Sequence, residues 1–538
     1  MNNVDPGAFS TIVDALYARA EKTPGDLAYS VEGGAVTYGG LLEEVLGAGD
    51  ALTALGLEPD HRCALILPTG LPFVRTCFAA QALGAAPVAV NPSLPPETAL
   101  GRVERAGADL VICAGEARDE LRGLAKARAR PPRVEAVEDL RAGGRLAAGS
   151  LPRPKPEQTA YLQITSGTSG EPRAAVILHR NLIACLRSLA AEGRVLSDDV
   201  FVSWLPLHHD LGLVRCVLLP LYTGRPAHLI PPSIRNLRQW LETISAVRGT
   251  ITASPDFGYR VATRTVSPDG LDLTSLRLAT NGGEPVRGST LEAFEKRFGL
   301  RRIVRPSYGL AEATLTVAQF PTGEEVRIGP AGAVSCGRPL PGVEVTIVDD
   351  DGSEVPPGQA GEIVVKAEAV FAGYHGDAEA TREVLRDGRL HTGDVGALDA
   401  DGHLYVLGRK RALIKRAGAV IPPREVEEAA DRVPGVRYSA AVGVPDESIG
   451  GSEGVVVVAE IRPEDVPTGD ERARLAAAVA AEVRRALGSA PSDVLLVVPH
   501  AIPRTPNGKI RYQELRRLVV EGVLTREGAV LFGGASTH

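Results

Sequence analysis

A nine-residue stretch, Thr165-Ser166-Gly167-Thr168-Ser169-Gly170-Glu171-Pro172-Arg173, combines hydroxyls, glycines and one terminal cation. Apolar runs flank it, Tyr161-Leu162-Gln163-Ile164 before and Val176-Ile177-Leu178 after, so it reads as a tight loop between two strands. The backbone N–H groups of such a loop can face outward beside the hydroxyls, which is the chemistry a polyphosphate requires. It is not a Walker loop, because GxxxxGK[ST] is absent and no helix start follows the second glycine. Ser, Thr and Gly clusters also mark ordinary polar turns, and the loop by itself leaves both readings open.

Five further stretches carry chemistry-bearing side chains. Trp204-Leu205-Pro206-Leu207-His208-His209-Asp210-Leu211-Gly212-Leu213 holds two histidines and an aspartate. Adjacent side chains on an extended chain point to opposite faces, and no third ligand accompanies them, which argues against a metal site. Thr280-Asn281-Gly282-Gly283-Glu284-Pro285 is a strand end running into a glycine turn, where backbone polar groups become available to a ligand. Ser307-Tyr308-Gly309-Leu310-Ala311-Glu312-Ala313-Thr314 offers a flat aromatic for a flat base and a carboxylate for a hard cation, although a core tyrosine and a solvated glutamate fit the same pattern. Asp394 in His391-Thr392-Gly393-Asp394 is a pure acceptor suited to two vicinal hydroxyls, with Arg409 following after a hairpin-like segment. Lys509 sits in Pro503-Arg504-Thr505-Pro506-Asn507-Gly508-Lys509, where a loop-tip lysine is either solvated or functional.

Taken in order along nearly the whole chain, these stretches resemble the signatures of the adenylate-forming superfamily: acyl-CoA synthetases, peptide-synthetase adenylation domains and luciferases. The His-His-Asp-Leu-Gly-Leu form is closest to fatty-acyl-AMP ligases. The resemblance implies ATP or AMP and Mg2+ as ligands. Thr165, Ser166, Gly167, Thr168, Ser169, Gly170 and Arg173 would then contact phosphate, and the backbone of Gly283, Glu284 and Pro285 would line the adenine pocket. Tyr308 and Gly309 would cover the adenine face, Thr314 would lie near phosphate, Glu312 would hold Mg2+, and Asp394 and Arg409 would meet the ribose. His209 would close the carboxylate pocket, Lys509 would act in adenylation, and Arg411 would be the hinge between a large and a small domain. Two departures stand out: the family's lysine is Arg173, which keeps charge but changes geometry, and the next glycine is Ala174. Only about twenty residues, 315–334, separate the Tyr308 motif from the turn Ser335-Cys336-Gly337-Arg338-Pro339, so the insertion usual in fatty-acyl-AMP ligases is shortened or missing.

The implied activity is ATP-dependent conversion of a carboxylic acid to an acyl-adenylate, followed by transfer to the thiol of an acyl carrier protein. Transfer to free coenzyme A is the alternative, and a non-catalytic nucleotide-binding homologue the third reading.

The elements that must position these groups follow from periodicity. Residues 41–55 and 73–83 have helical apolar spacing, and residues 63–67 and 87–90 read as buried strands, an alternation that argues a parallel sheet. Residues 114–157, rich in Ala, Arg, Gly and Pro, read as a connector. Beyond 411, strands at 438–444 and 454–461 and helices at 424–432 and 473–487 make a compact unit with a turn at Gly418. The expected class is α/β: a large N-terminal domain (1–408) of stacked α/β subdomains with a small β-barrel-like part, a hinge at 409–411, and a small mobile α+β lid domain (412–538). A length of 538 residues requires at least two domains. The net charge of −7 argues against a nucleic-acid or anionic-membrane surface as main partner. Six scattered cysteines without ligand spacing, no secretory leader and no run of about eighteen apolar residues point to a cytoplasmic protein without a membrane span.

Overall fold

The computed structural model describes residues 9–140, 153–165, 172–329, 332–416, 419–446, 452–465, 468–504 and 510–533. Short fully buried runs such as Ile251–Ser254 and Leu278–Asn281 form parallel strands, because both faces of the sheet are covered and neither can be polar. Among the described residues they belong to a nine-stranded sheet ordered Arg338–Pro339, Thr316–Gln319, Val304–Gly309, Leu278–Asn281, Ile251–Ser254, Phe201–Ser203, Ala227–Leu229, Leu27–Val31, Gly34–Thr37. A seven-stranded sheet runs Gly373–Tyr374, Arg173–Leu178, Thr159–Thr165, Ala86–Ala89, Arg62–Ile66, Leu110–Cys113, Arg133–Ala136. The helix His179–Glu192, buried along Leu182, Leu186 and Leu189, packs against strands of both sheets.

The expected helices and strands are present with small shifts, the helices at Tyr38–Ala54 and Leu71–Ala82 and the strands at Arg62–Ile66 and Ala86–Ala89. The connector reading of 114–157 is corrected. Gly115–Ala125 is a helix burying Leu121 and Ala125, and Arg133–Ala136 adds a parallel edge strand. Its many arginines had masked the pattern, since they decorate the exposed face and pair with Glu135, Asp119 and Asp139. All six cysteines are buried free thiols.

A five-stranded antiparallel sheet, built on Val343–Val348, Gly361–Ala367 and Arg389–Leu398, supplies the barrel-like part. The chain leaves it along Leu404–Arg409 and enters the small C-terminal domain at the strand Ile414–Arg416. There the continuous apolar run Val455 to Ala459 is explained by burial on both faces. Val455, Val457 and Ala459 meet the helices Pro423–Ala430 and Gly469–Leu487, while Val456 and Val458 meet the helix Tyr512–Val520. The turn expected at Gly418 lies outside the described residues. No helix among the described residues is long and apolar enough to cross a membrane.

The two domains touch through Arg287, which pairs with Asp431 at 2.9 Å, and through Arg424, which donates to the Val286 carbonyl. Beside this contact Glu427, 4% exposed, accepts from Tyr512 Oη at 2.9 Å and from the Ala441 N–H at 3.1 Å. Burial pushes its carboxyl up from 4.5 to about 7, outweighing the donors from Tyr512 and Ala441. A folded-state value above the unfolded one means that the stabilisation from this group is complete below about 4.5 and is lost as pH rises through about 7. Glu427→Gln should therefore flatten the stability–pH curve between those values, measured by urea unfolding of both proteins at several pH values. Parallel curves for variant and wild type would contradict the assignment.

Candidate functional site

Three strands meet around the carboxylate of Asp394. The strand Val304–Gly309 ends the parallel part of the nine-stranded sheet and presents Tyr308, whose hydroxyl donates to Asp394 Oδ2 at 2.7 Å. Asp394 lies in the ten-residue strand Arg389–Leu398, directly across from Arg409 in Leu404–Arg409, and Arg409 Nε approaches Asp394 Oδ1 at 2.9 Å. Arg409 Nη1 also donates to the Thr392 carbonyl at 2.8 Å, and the Thr392 hydroxyl accepts from the Asp394 N–H at 3.1 Å. Burial and the facing Asp394 carboxylate push the Tyr308 phenol well above its ordinary range, so it remains a donor. Gly309 permits the turn that follows, because a Cβ there would overlap the Leu315 carbonyl.

A second cluster lies one segment on. Glu312, in the 3-10 turn Ala311–Ala313, accepts from Tyr374 Oη at 2.6 Å. The Arg173 guanidinium stands 5.2 Å from the centroid of the same Tyr374 ring, with its Nε 3.7 Å from Asp377 Oδ2. Tyr374 reaches both because Gly373–Tyr374 pairs antiparallel with the strand Arg173–Leu178. Arg173 thus begins the strand Arg173–Leu178 beside a carboxylate and an aromatic ring, where the sequence showed only a terminal cation. Thr165 is its cross-strand partner, and the Thr165 hydroxyl donates to the Arg173 carbonyl at 3.4 Å. Residues 166–171 and 505–509, hence Ser166, Gly167, Thr168, Ser169, Gly170 and Lys509, lie outside the described residues.

Thr314 adopts φ +66° and ψ −49°, and its buried hydroxyl donates to the Ala369 carbonyl at 2.6 Å, an anchoring role its position in the motif did not disclose. Gly283 has φ +86° with open space where a side chain would stand, and Glu284 Oε1 accepts from the Phe257 N–H at 2.5 Å, tying the Pro285-containing turn to the helix Asp256–Thr265. Arg411 is exposed in a turn in which the N–H groups of Ala412 and Leu413 both donate to the Arg409 carbonyl.

His209 is held by a separate segment. The extended-chain reading of this stretch is corrected: residues 207–209 turn, Asp210 caps with its side chain on the Leu211 N–H at 2.7 Å, and Leu211–Leu218 is a π-helix. The turn brings the His208 and His209 rings to 4.8 Å centroid separation, an approach that opposite faces of a strand would forbid. Burial, with His209 and Arg102 beside it, pushes His208 down to about 3, so it stays neutral. Gly212 is required because a Cβ would overlap the Pro206 carbonyl.

Tyr374, Asp377 and Thr392 were missed by sequence reasoning. A Gly-Tyr pair has no spacing that distinguishes it from a core aromatic, and only sheet pairing sets Tyr374 between Glu312 and Arg173. Tyr374→Phe removes the hydroxyl from Glu312 and leaves the ring beneath Arg173. On the expectation that Glu312 holds Mg2+ for an adenylating reaction, the variant should lose roughly ten-fold in acid-dependent pyrophosphate release and need more Mg2+. A rate-against-Mg2+ titration identical to wild type would refute this role.

The comparisons with known proteins bear on this constellation. The family description "AMP-binding enzyme" matches residues 16–375, and "AMP-binding enzyme C-terminal domain" matches residues 425–509. A putative acyl-CoA synthetase of Caulobacter vibrioides is 30% identical over 560 residues, covering 96% of each chain. The medium-chain-fatty-acid–[acyl-carrier-protein] ligase JamA of Moorena producens is 29% identical over 578 residues, again covering 96% of each. A solved structure from work on fatty acyl-adenylate ligases of E. coli and L. pneumophila superposes with a TM-score of 0.87 at 27% identity, covering 98% of this chain and 100% of the other. With both family domains matched in order and the fold shared end to end, the chain belongs to the adenylate-forming superfamily of AMP-binding enzymes.

Proposed function

We propose that this chain joins a carboxylic acid to ATP, forming an acyl-adenylate and pyrophosphate, and then passes the acyl group to the phosphopantetheine thiol of an acyl carrier protein. The observation that carries the reading is the Asp394 junction, where one carboxylate is flanked by Tyr308 at 2.7 Å and Arg409 at 2.9 Å. An aromatic face, a carboxylate acceptor and a guanidinium in contact are suited to base, ribose hydroxyls and phosphate of one nucleotide.

In the first half-reaction a carboxylate oxygen of the acid attacks the α-phosphorus and pyrophosphate departs. Arg173 would meet the departing phosphates, Lys509 would act between the acid and the α-phosphate, and His209 would border the acid. Preorganised cations aimed at the developing charge are the main source of acceleration in such a step. Glu312 fits a protein ligand of Mg2+, because it is a hard oxygen donor oriented by the Tyr374 hydroxyl. Bound there, Mg2+ would neutralise phosphate charge. In the second half-reaction the thiol sulfur attacks the acyl carbonyl carbon and AMP leaves. Rotation of a domain 412–538 about a hinge at 409–411, with Arg411 as pivot, would exchange the face presented to the site between the two halves.

The His208-His209-Asp210-Leu211-Gly212-Leu213 and Gly309-Leu310-Ala311-Glu312-Ala313-Thr314 sequences favour the carrier protein, as does the similarity to JamA. The short interval 315–334 and the similarity to a putative acyl-CoA synthetase favour coenzyme A as the second reading. Thioester formation with a holo acyl carrier protein and with coenzyme A, from the same acid, separates them; exclusive use of coenzyme A would overturn the first. Lys509→Ala should slow acyl-adenylate formation on the order of 10²-fold while leaving thioester formation from supplied acyl-adenylate far less affected. Equal losses in both half-reactions would overturn the role given to Lys509.

A further inference from the structure

Arg215 lies in the π-helix Leu211–Leu218 and is 2% exposed. Its Nη1 donates to Thr280 Oγ1 at 2.9 Å, and its Nη2 to Gln319 Oε1 at 2.8 Å and Thr316 Oγ1 at 3.4 Å. Its Nε has no hydrogen-bond partner, and no carboxylate pairs with it among the described residues. The titratable groups nearest it are Cys185, Cys216 and Tyr259, all pushed upward by burial and therefore neutral.

Partly exposed arginines elsewhere in the fold meet carboxylates: Arg277 meets Asp199, Arg287 meets Asp431 and Arg409 meets Asp394. Arg19 donates to the Tyr222 carbonyl near a helix C-terminus, where the backbone is negative, and Arg305 has Glu295 and Glu324 nearby. A guanidinium enclosed by neutral groups alone is costly to bury, and hydroxyls and an amide do not neutralise it. Burial accordingly pushes the Arg215 guanidinium down from its ordinary value.

Its position bears on the acid. His209 ends the loop from which this helix starts, and six residues of helix advance about 9 Å at α-helical rise, somewhat less in a wider turn. Thr280 immediately precedes the Asn281-Gly282-Gly283-Glu284 turn, and Thr316 sits across from Gly309 in the strand after Thr314. The guanidinium therefore lies where three site-forming segments converge.

We infer that Arg215 is a specificity residue at the far end of the acid pocket and that the substrate is a short-chain acid bearing a second carboxylate there. The inference rests on the adenylating reading above. The distal carboxylate accepts from the Nε–H and from one Nη–H turned away from Thr316, a forked pair that a monocarboxylic acid of the same length cannot make. The apolar end of such an acid would instead face an uncompensated cation.

The test is acid-dependent ATP–pyrophosphate exchange by the full chain with matched pairs: glutarate against pentanoate, adipate against hexanoate, suberate against octanoate. Wild type should favour one dicarboxylate over its partner by roughly ten-fold or more in kcat/KM. Arg215→Met should lower that value on the order of 10²-fold and leave or raise exchange with the matched monocarboxylate, and Arg215→Lys should retain part of the preference. If Arg215→Met does not fold, the wild-type panel and Arg215→Lys decide alone. Wild-type preference for monocarboxylates, or equal losses for both acids in the variants, would overturn the inference and make Arg215 a clamp between strands. Exchange with none of the acids, across longer chains and aromatic acids as well, would instead overturn the adenylating reading.

Discussion

The contact of Asp394 with Tyr308 and Arg409 is the constraint on which the rest of this architecture turns. Tyr308 belongs to the nine-stranded sheet, Asp394 to the five-stranded one, and Arg409 to the last strand before the small domain. A buried carboxylate must be paired or strongly hydrogen-bonded to remain ionised, and here one donor comes from the nine-stranded sheet and the other from the neighbouring strand of its own sheet, so satisfying one charge sets the two sheets in register. The same logic recurs one segment on, where Glu312, Tyr374 and Arg173 link the nine-stranded sheet to the seven-stranded one.

Charge compensation also describes how the small domain sits. Among the described residues, Arg287 with Asp431 and Arg424 with the Val286 carbonyl link the two domains, and both are partly buried. Polar contacts of this kind orient one surface on another without the commitment of a large apolar interface, and can be exchanged when one domain turns. Glu427, just behind them, is a carboxyl held by a tyrosine and a main-chain N–H in a desolvated position that favours its neutral form. Against this background Arg215 stands apart: enclosed by Thr280, Thr316 and Gln319, it has no counter-charge of its own.

Much of this was written in the chain itself. The short apolar runs ending at glycine or proline determined strands and helices, because burial on two faces leaves no choice of side chain, and the elements at Arg62–Ile66, Leu71–Ala82 and Ala86–Ala89 follow directly. The order of the motifs around Thr165, His209, Gly283, Tyr308, Asp394 and Lys509 determined the superfamily and the chemistry. The helix and strand within 114–157 did not announce themselves, since arginine and alanine dilute the apolar period there. The turn at His208 and His209 was equally silent, because a π-helix start has no sequence period distinct from an extended run. Tertiary structure alone decided that Tyr374 lies between Glu312 and Arg173, that the Thr314 hydroxyl is bound to Ala369, and that Arg215 is buried among neutral groups. These are contacts between segments tens to hundreds of residues apart, set by sheet pairing and desolvation, and no local spacing encodes them.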